Sequence, residues 1–277
     1  MKSLNSFKLY SHKKINSNNK FVFNLTPHQP FQLEENKHLA EMIGIILGDG
    51  HLSIDGYYLI ITLNFQDESD YAQYTMRLLE FLFKQKPVVI NLPNNKANQI
   101  RISNRFLVDF LISKNLMLGN KIKNQVGVPL WIKNNKSLNA PCLKGLTDTD
   151  GPIFPVIREK TIKINFKNNS EPLVKDFKFM CENLGIKMAK IIEGWTYTRG
   201  KRFRYYKVHI GGKEQVAKFL YLVKPMKWEF KWQRFDEIFK NNGSSIIEAL
   251  DYKRDKGNHR VYIKKLINEI RDLDKTF

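Results

Sequence analysis

The feature that most limits what this chain can fold into is a repeated ending: MIGIILGDG at Met42–Gly50 and LKGLTDTDG at Leu143–Gly151. Each is a run of small and apolar residues closed by Asp-Gly, and the aspartates Asp49 and Asp150 stand 101 positions apart. The same offset carries Asn64-Phe65 onto Asn165-Phe166 and Gln66 onto Lys167, so LNFQDESD and INFKNNSE are one strand end written twice. A period of roughly 100 residues marks a duplicated domain, since solenoid repeats run to about 20–50 residues.

Periodicity fills in each copy. LEENKHLAEMIGIILGDG predicts a helix stopped by Gly48-Asp49-Gly50, and HLSIDGYYLIITLNF a hairpin around Asp55-Gly56, a type I′ turn signal. DYAQYTMRLLEFLF has Tyr71, Leu78, Leu79 and Leu82 at helical spacing; PVVINLPNNKANQIRIS is a second hairpin and RFLVDFLIS a second covering helix. The order then recurs, with PCLKGLTDTDG as a helix whose Pro141 suits its first turn. TIKINFK alternates, Ile162, Ile164 and Phe166 against Lys163, Asn165 and Lys167. PLVKDFKFMCENLG is amphipathic, IKMAKIIEGW and RFRYYKVHI make the next hairpin, and helices follow from about Lys213 and Trp228. The expected organisation is α+β: a basic extension of low order over 1–33, two domains over 34–136 and 137–242, and a tail over 243–277. That tail carries an amphipathic helix through Ile263, Leu266, Ile267, Ile270 and Leu273.

The repeated helix has a physical consequence. Gly44 and Gly48 share one face, as do Gly145 and Thr149, and small residues there let two helix backbones come close. Packing the two helices brings Asp49 and Asp150 together at helix ends that already carry about half a negative charge each. Such tips repel unless a cation sits between them, and a hard divalent ion such as Mg²⁺ takes oxygen ligands of this kind. A single Asp-Gly would simply end a helix in solvent; two copies at equal spacing favour a metal site. His51 beside the first motif reads as a polar strand residue, and the six histidines form no cluster.

On these residues the chain resembles the LAGLIDADG homing endonucleases in their single-chain, two-motif form. LKGLTDTDG matches the motif closely, GNKIKNQVGVPLWI ahead of it is also similar, and MIGIILGDG departs by placing Leu47 where the motif has an Asp. The likeness spans about Leu33 to Lys240. It implies an αββαββα fold in each half, motif helices at the interface, and two antiparallel sheets forming a saddle over DNA. It further implies a double-strand break in a long target, with Asp49 and Asp150 holding Mg²⁺ (Mn²⁺ or Ca²⁺ substituting in binding), aided by the carbonyls of Gly48 and Thr149. Gln66 and Lys167 fall where that family organises water. Lys121 and Lys231 are the basic residues expected to stabilise the transition state.

The outward positions of the strands supply candidate DNA contacts: Tyr58, Thr62, Asn64, Gln99, Arg101 and Ser103 in the first half. In the second they are Lys163, Asn165, Tyr205, Lys207 and His209. Arg suits guanine, Asn and Gln suit adenine, and Lys more often meets phosphate. The formal charge of +19 points to polyanionic partners, double-stranded DNA first. Intron RNA is the partner of a maturase reading, and a non-cleaving DNA-binding regulator is the other alternative on this fold. The longest apolar run, MIGIILG, falls short of the roughly 20 residues of a spanning helix, so no membrane partner is expected. The N-terminus lacks a signal-peptide pattern, and two cysteines make no disulfide framework, so an intracellular monomer acting beside its encoding genome is expected. A start at Met and an end in DKTF disfavour an intein.

Overall fold

The computed structural model describes residues 33–93, 97–198 and 200–250, together with 13–15, 21–23, 265, 266 and 268. Residues Met1–Gln32 and Leu33–Phe277 are separate units. In the first, β1 (Lys13–Ile15) pairs antiparallel with β2 (Phe21–Phe23), so the extension expected to be of low order contains a short hairpin.

The second unit holds both copies of the duplication. In the first, α1 (Lys37–Gly48) leads through β3 (Gly50–Leu52) and β4 (Tyr58–Asn64) to α2 (Ser69–Phe83). Then β5 (Val88–Asn91), β6 (Ala97–Ser103) and α3 (Arg105–Ser113) complete it. Two short helices follow, α4 (Lys121–Asn124) and α5 (Leu130–Lys133). The second copy is α6 (Lys136–Asp150), β7 (Ile153–Val156), β8 (Thr161–Asn168), α7 (Glu171–Asn183), β9 (Ile192–Thr198), β10 (Lys201–Ile210) and α8 (Lys213–Val223). Beyond it lie α9 (Met226–Lys240) and α10 (Ile246–Leu250). Each copy is thus αββαββα, and the two antiparallel sheets share one strand order, β3-β4-β6-β5 and β7-β8-β10-β9.

The alternation read from the sequence sets the faces. Leu59, Ile61, Leu63, Ile100 and Ile102 are buried in one sheet, and Ile162, Ile164, Phe166, Val208 and Ile210 in the other. Phe166 of β8 stacks on Phe177 of α7 at 4.2 Å between ring centroids, and Phe177 meets Phe219 of α8, so one aromatic column ties sheet to helices. Phe65, the counterpart of the buried Phe166 under the 101-residue offset, lies past the end of β4 and is half-buried, because the pleat ends at Asn64.

Two local features differ from expectation. The β3–β4 turn bonds the Gly56 N–H to the Ser53 carbonyl at 2.9 Å, with Gly56 at φ +74°. Asp55 is not left-handed, so this is not a type I′ turn, which requires positive φ at both central residues. Pro141 is not in the first turn of α6. The helix begins at Lys136, where Asn135 caps it by accepting the Ser137 N–H at 3.1 Å, and the proline sits in its interior. Of the expected tail helix, only Leu266 among its named apolar residues is described, and it is buried. Ile263, Ile267, Ile270 and Leu273 lie outside the described residues.

Candidate metal and nucleic-acid site

α1 is apolar nearly all round, buried from Leu39 to Leu47, and Asn36 caps its start by accepting the Leu39 N–H at 2.9 Å. It lies against α6 with backbone touching backbone. A Cβ added to Gly145 would stand 2.7 Å from the Ile45 nitrogen and closer still to the Glu41 carbonyl oxygen. One added to Gly44 would run into the Cys142 carbonyl, and one on Gly48 into the Thr149 side chain. The expected small-residue face is therefore the contact surface, and only glycine fits its centre.

This contact brings the two helix tips into one electrostatic site. Burial, and after it the Asp150 charge beside it, push the Asp49 carboxyl up to about 6, against the lowering charges of Lys227 and Lys121. Burial also raises Asp150, opposed by a hydrogen bond from Asn168 Nδ2 at 2.7 Å and by the charges of Lys121 and Lys227. Lys121, at the start of α4, sends its ammonium onto the last carbonyls of α1, donating to Leu47 at 2.8 Å, to Ile46 at 3.2 Å and to Gly48. Burial lowers it to about 8 while both aspartates hold it up. The Gly48 carbonyl expected to hold metal is thus engaged by Lys121, and the Thr149 hydroxyl donates back to the Gly145 and Leu146 carbonyls at 2.9 and 3.0 Å.

Other expected residues fall elsewhere. The α9 lysine whose charge acts on Asp49 and Asp150 is Lys227, one helical turn before Lys231. The reason is Asp148, buried in the last turn of α6, whose carboxylate accepts the amides of Met226 and Lys227, each at 2.9 Å. It thereby pins the start of α9, and Lys227 rather than Lys231, to the motif. In the first half Leu47 replaces this aspartate, and Asn120 caps α4 itself by accepting from Ile122 and Lys123. Burial raises Asp148 to about 7 against those two amides.

Lys167 does not point to the acid pair. Its ammonium stands 3.9 Å from the Tyr205 ring centroid, and Tyr205 lies across Gly194, where a Cβ would meet the ring. The next residue, Asn168, reaches Asp150, because the pleat turns 167 outward and 168 inward. Gln66 is exposed, its N–H bonded to Asn64 Oδ1 at 3.1 Å. The side chain from this strand end that acts on Asp49 is Glu68.

The outward strand residues do share faces. Tyr58 faces Ser103 and Thr62 faces Gln99 across β4–β6, and the Arg101 guanidinium lies 5.0 Å from the Tyr58 ring. Asn64 instead donates to Asp67 at 2.7 Å. In the second sheet Lys167 is directly opposite Lys207, and Asn165 opposite His209. Lys163 pairs with Glu159 at 2.8 Å.

The family model described as a LAGLIDADG-like domain matches residues 137–224. That match runs from the start of α6 to the end of α8. The first copy of the αββαββα unit repeats that domain's strand order and motif-helix position. An uncharacterized protein of Methanocaldococcus jannaschii is 25% identical over 246 residues, which is 87% of this chain and 26% of that protein. The chain spans about a quarter or less of the length of the curated relatives it matches. Among solved structures, a variant of the homing endonuclease I-DmoI is similar at 18% identity and a TM-score of 0.48, covering 68% of this chain and 88% of that one. Full-length DUF199/WhiA from Thermatoga maritima is similar at 14% identity and a TM-score of 0.48, covering 90% and 72%. These scores mark partial likeness of fold and nothing finer.

Proposed function

We propose that this chain is a site-specific endonuclease that binds a long double-stranded DNA target and cuts both strands at the Asp49–Asp150 pair. The observation that carries the reading is the burial of two carboxylates against each other at abutting helix ends, with Lys121 and Lys227 as the cations acting on both. Holding two like charges out of water is costly unless a cation joins them.

The donor set fits a divalent ion such as Mg²⁺: two carboxylates, all-oxygen and part-buried. Among the described residues no group of three or more His, Cys, Asp or Glu could hold a metal, so water and substrate phosphate are left to fill the remaining positions. A divalent ion bound there supplies charge neutralisation at the scissile phosphate and acidifies water. Asn168 orients the Asp150 carboxylate, and Lys121 neutralises the carbonyl end of α1 where phosphate must approach. Facing lysines such as Lys167 and Lys207 repel across a ladder, and phosphate relieves that repulsion.

The test is a cleavage selection on a randomised duplex library with Mg²⁺, repeated with Asp49→Asn and Asp150→Asn. Each substitution is expected to abolish cutting and leave duplex affinity within a few-fold. Cutting that survives either one refutes the reading. Duplex binding by the parent without any cutting would instead support a non-cleaving DNA-binding protein on this fold.

A further inference from the structure

Glu68 occupies the N-cap of α2, where Ser, Thr, Asp or Asn would turn back onto free helix amides, and it makes no cap hydrogen bond. Its carboxylate leaves the first half and meets the Lys227 ammonium of the second at 2.7 Å, with the two side chains 20% and 19% exposed. Lys227 is therefore held from three directions. Asp148 takes its amide, Glu68 takes its ammonium, and the Tyr71 ring lies 5.2 Å from that ammonium. The duplication does not repeat the device, because the residue 101 positions beyond Glu68 is Asn169, whose amide bonds the Arg204 carbonyl.

We propose that Glu68 is a positioning residue for Lys227, holding its ammonium across the two halves and off the carboxylates of Asp49 and Asp150. The inference rests on the reading of those aspartates as the pair that holds a divalent ion. The Lys227 charge already acts on both of them, and Glu68 acts on Asp49. With the Glu68 charge removed, a largely buried ammonium has Asp49 and Asp150 as its alternative anions. Pairing there places a fixed monovalent cation on the oxygens a divalent ion needs. Glu68 thus keeps the acid pair open while leaving a positive charge beside it for phosphate.

The experiment titrates Mn²⁺ into the full chain without DNA, with bound ion read by paramagnetic resonance and fold by circular dichroism. Glu68→Gln is expected to raise the half-saturating Mn²⁺ concentration by about 10- to 100-fold, the range typical when a group supporting metal ligands is lost. Glu68→Asp should recover most of the affinity, and so should Lys227→Met added to Glu68→Gln, because the competing cation is then gone. A purely structural role for Glu68 predicts no such rescue. Parent-like Mn²⁺ binding by Glu68→Gln, or failure of the double variant to recover it, overturns this inference alone. A parent that holds no more Mn²⁺ than Asp49→Asn removes the acid-pair reading beneath it.

Discussion

Replacing Gly145 by alanine tests the contact on which the site depends. The new Cβ would lie 2.7 Å from the Ile45 nitrogen, with the Glu41 carbonyl nearer still. Ordinary contact needs about 3.5 Å, so α1 and α6 must part by roughly 0.8 Å or more. Both obstacles are backbone of a buried helix and cannot rotate aside, which places the overpacking near ~3 kcal/mol, the upper end of its usual range. Alanine returns about 1 kcal/mol of helix propensity relative to glycine. The net expectation is a loss of about 2 kcal/mol, read as a lower urea midpoint at unchanged slope. Separation of the helices also moves Asp49 from Asp150, and a displacement approaching 1 Å is expected to slow cleavage by ~10²-fold with duplex affinity little changed. Gly211→Ala is the control, since a Cβ there meets nothing within 4 Å; it should stay within about 0.5 kcal/mol of the parent. Parent-like stability and rate in Gly145→Ala would show that the two helix backbones do not abut.

Other consequences follow from named contacts. Glu41 is buried between the Tyr74 hydroxyl at 2.6 Å and the Lys144 ammonium at 3.2 Å. Lys144→Met leaves that carboxylate without its cation and should cost ~3–5 kcal/mol in chemical denaturation, whereas the double change with Glu41→Met should cost much less; equal costs would deny the coupling. Asp148→Ala removes both caps at the start of α9 and should cost about 2 kcal/mol, with amide exchange at Met226 and Lys227 accelerating. Cys142 and Cys181 are buried with their thiols pushed well up by desolvation, so native protein should resist alkylation that denatured protein undergoes at once. Because their protons bind more tightly in the folded state, stability from these thiols is present below the unfolded pKa of about 8.5. Above it that stability should fall by up to ~1.4 kcal/mol per pH unit per thiol. A difference in pH–stability profile between the parent and a Cys142→Ala, Cys181→Ala chain measures it. Duplex affinity should fall steeply with salt, as phosphate neutralisation by the +19 chain demands; a flat profile would refute sheet-face binding.

Much of the architecture was legible in one dimension, because the properties that set it are local. Alternation in TIKINFK placed Ile162, Ile164 and Phe166 inside, since a strand has only two faces, and the buried set agrees. The glycines at 44, 48 and 145 announced a close helix contact, since no other residue leaves room for backbone against backbone. The 101-residue offset carried the strand order of one half onto the other.

The offset failed where side chains from different parts of the chain meet. Nothing near Lys227 distinguishes it from Lys231; Asp148, 79 residues earlier, chooses between them by capping α9. Glu68 looks like a helix-start residue until the second half places a lysine across from it. Lys167 and Asn168 were ordered by a one-residue turn of the pleat relative to a site on another helix. Periodicity and backbone room were thus settled by each residue and its near neighbours, so the sequence alone determined the two folded halves and the meeting of their acidic tips. Which cations and amides surround those tips is a matter of long-range electrostatics and packing. Burial sets those strengths, and burial exists only once the two halves are assembled.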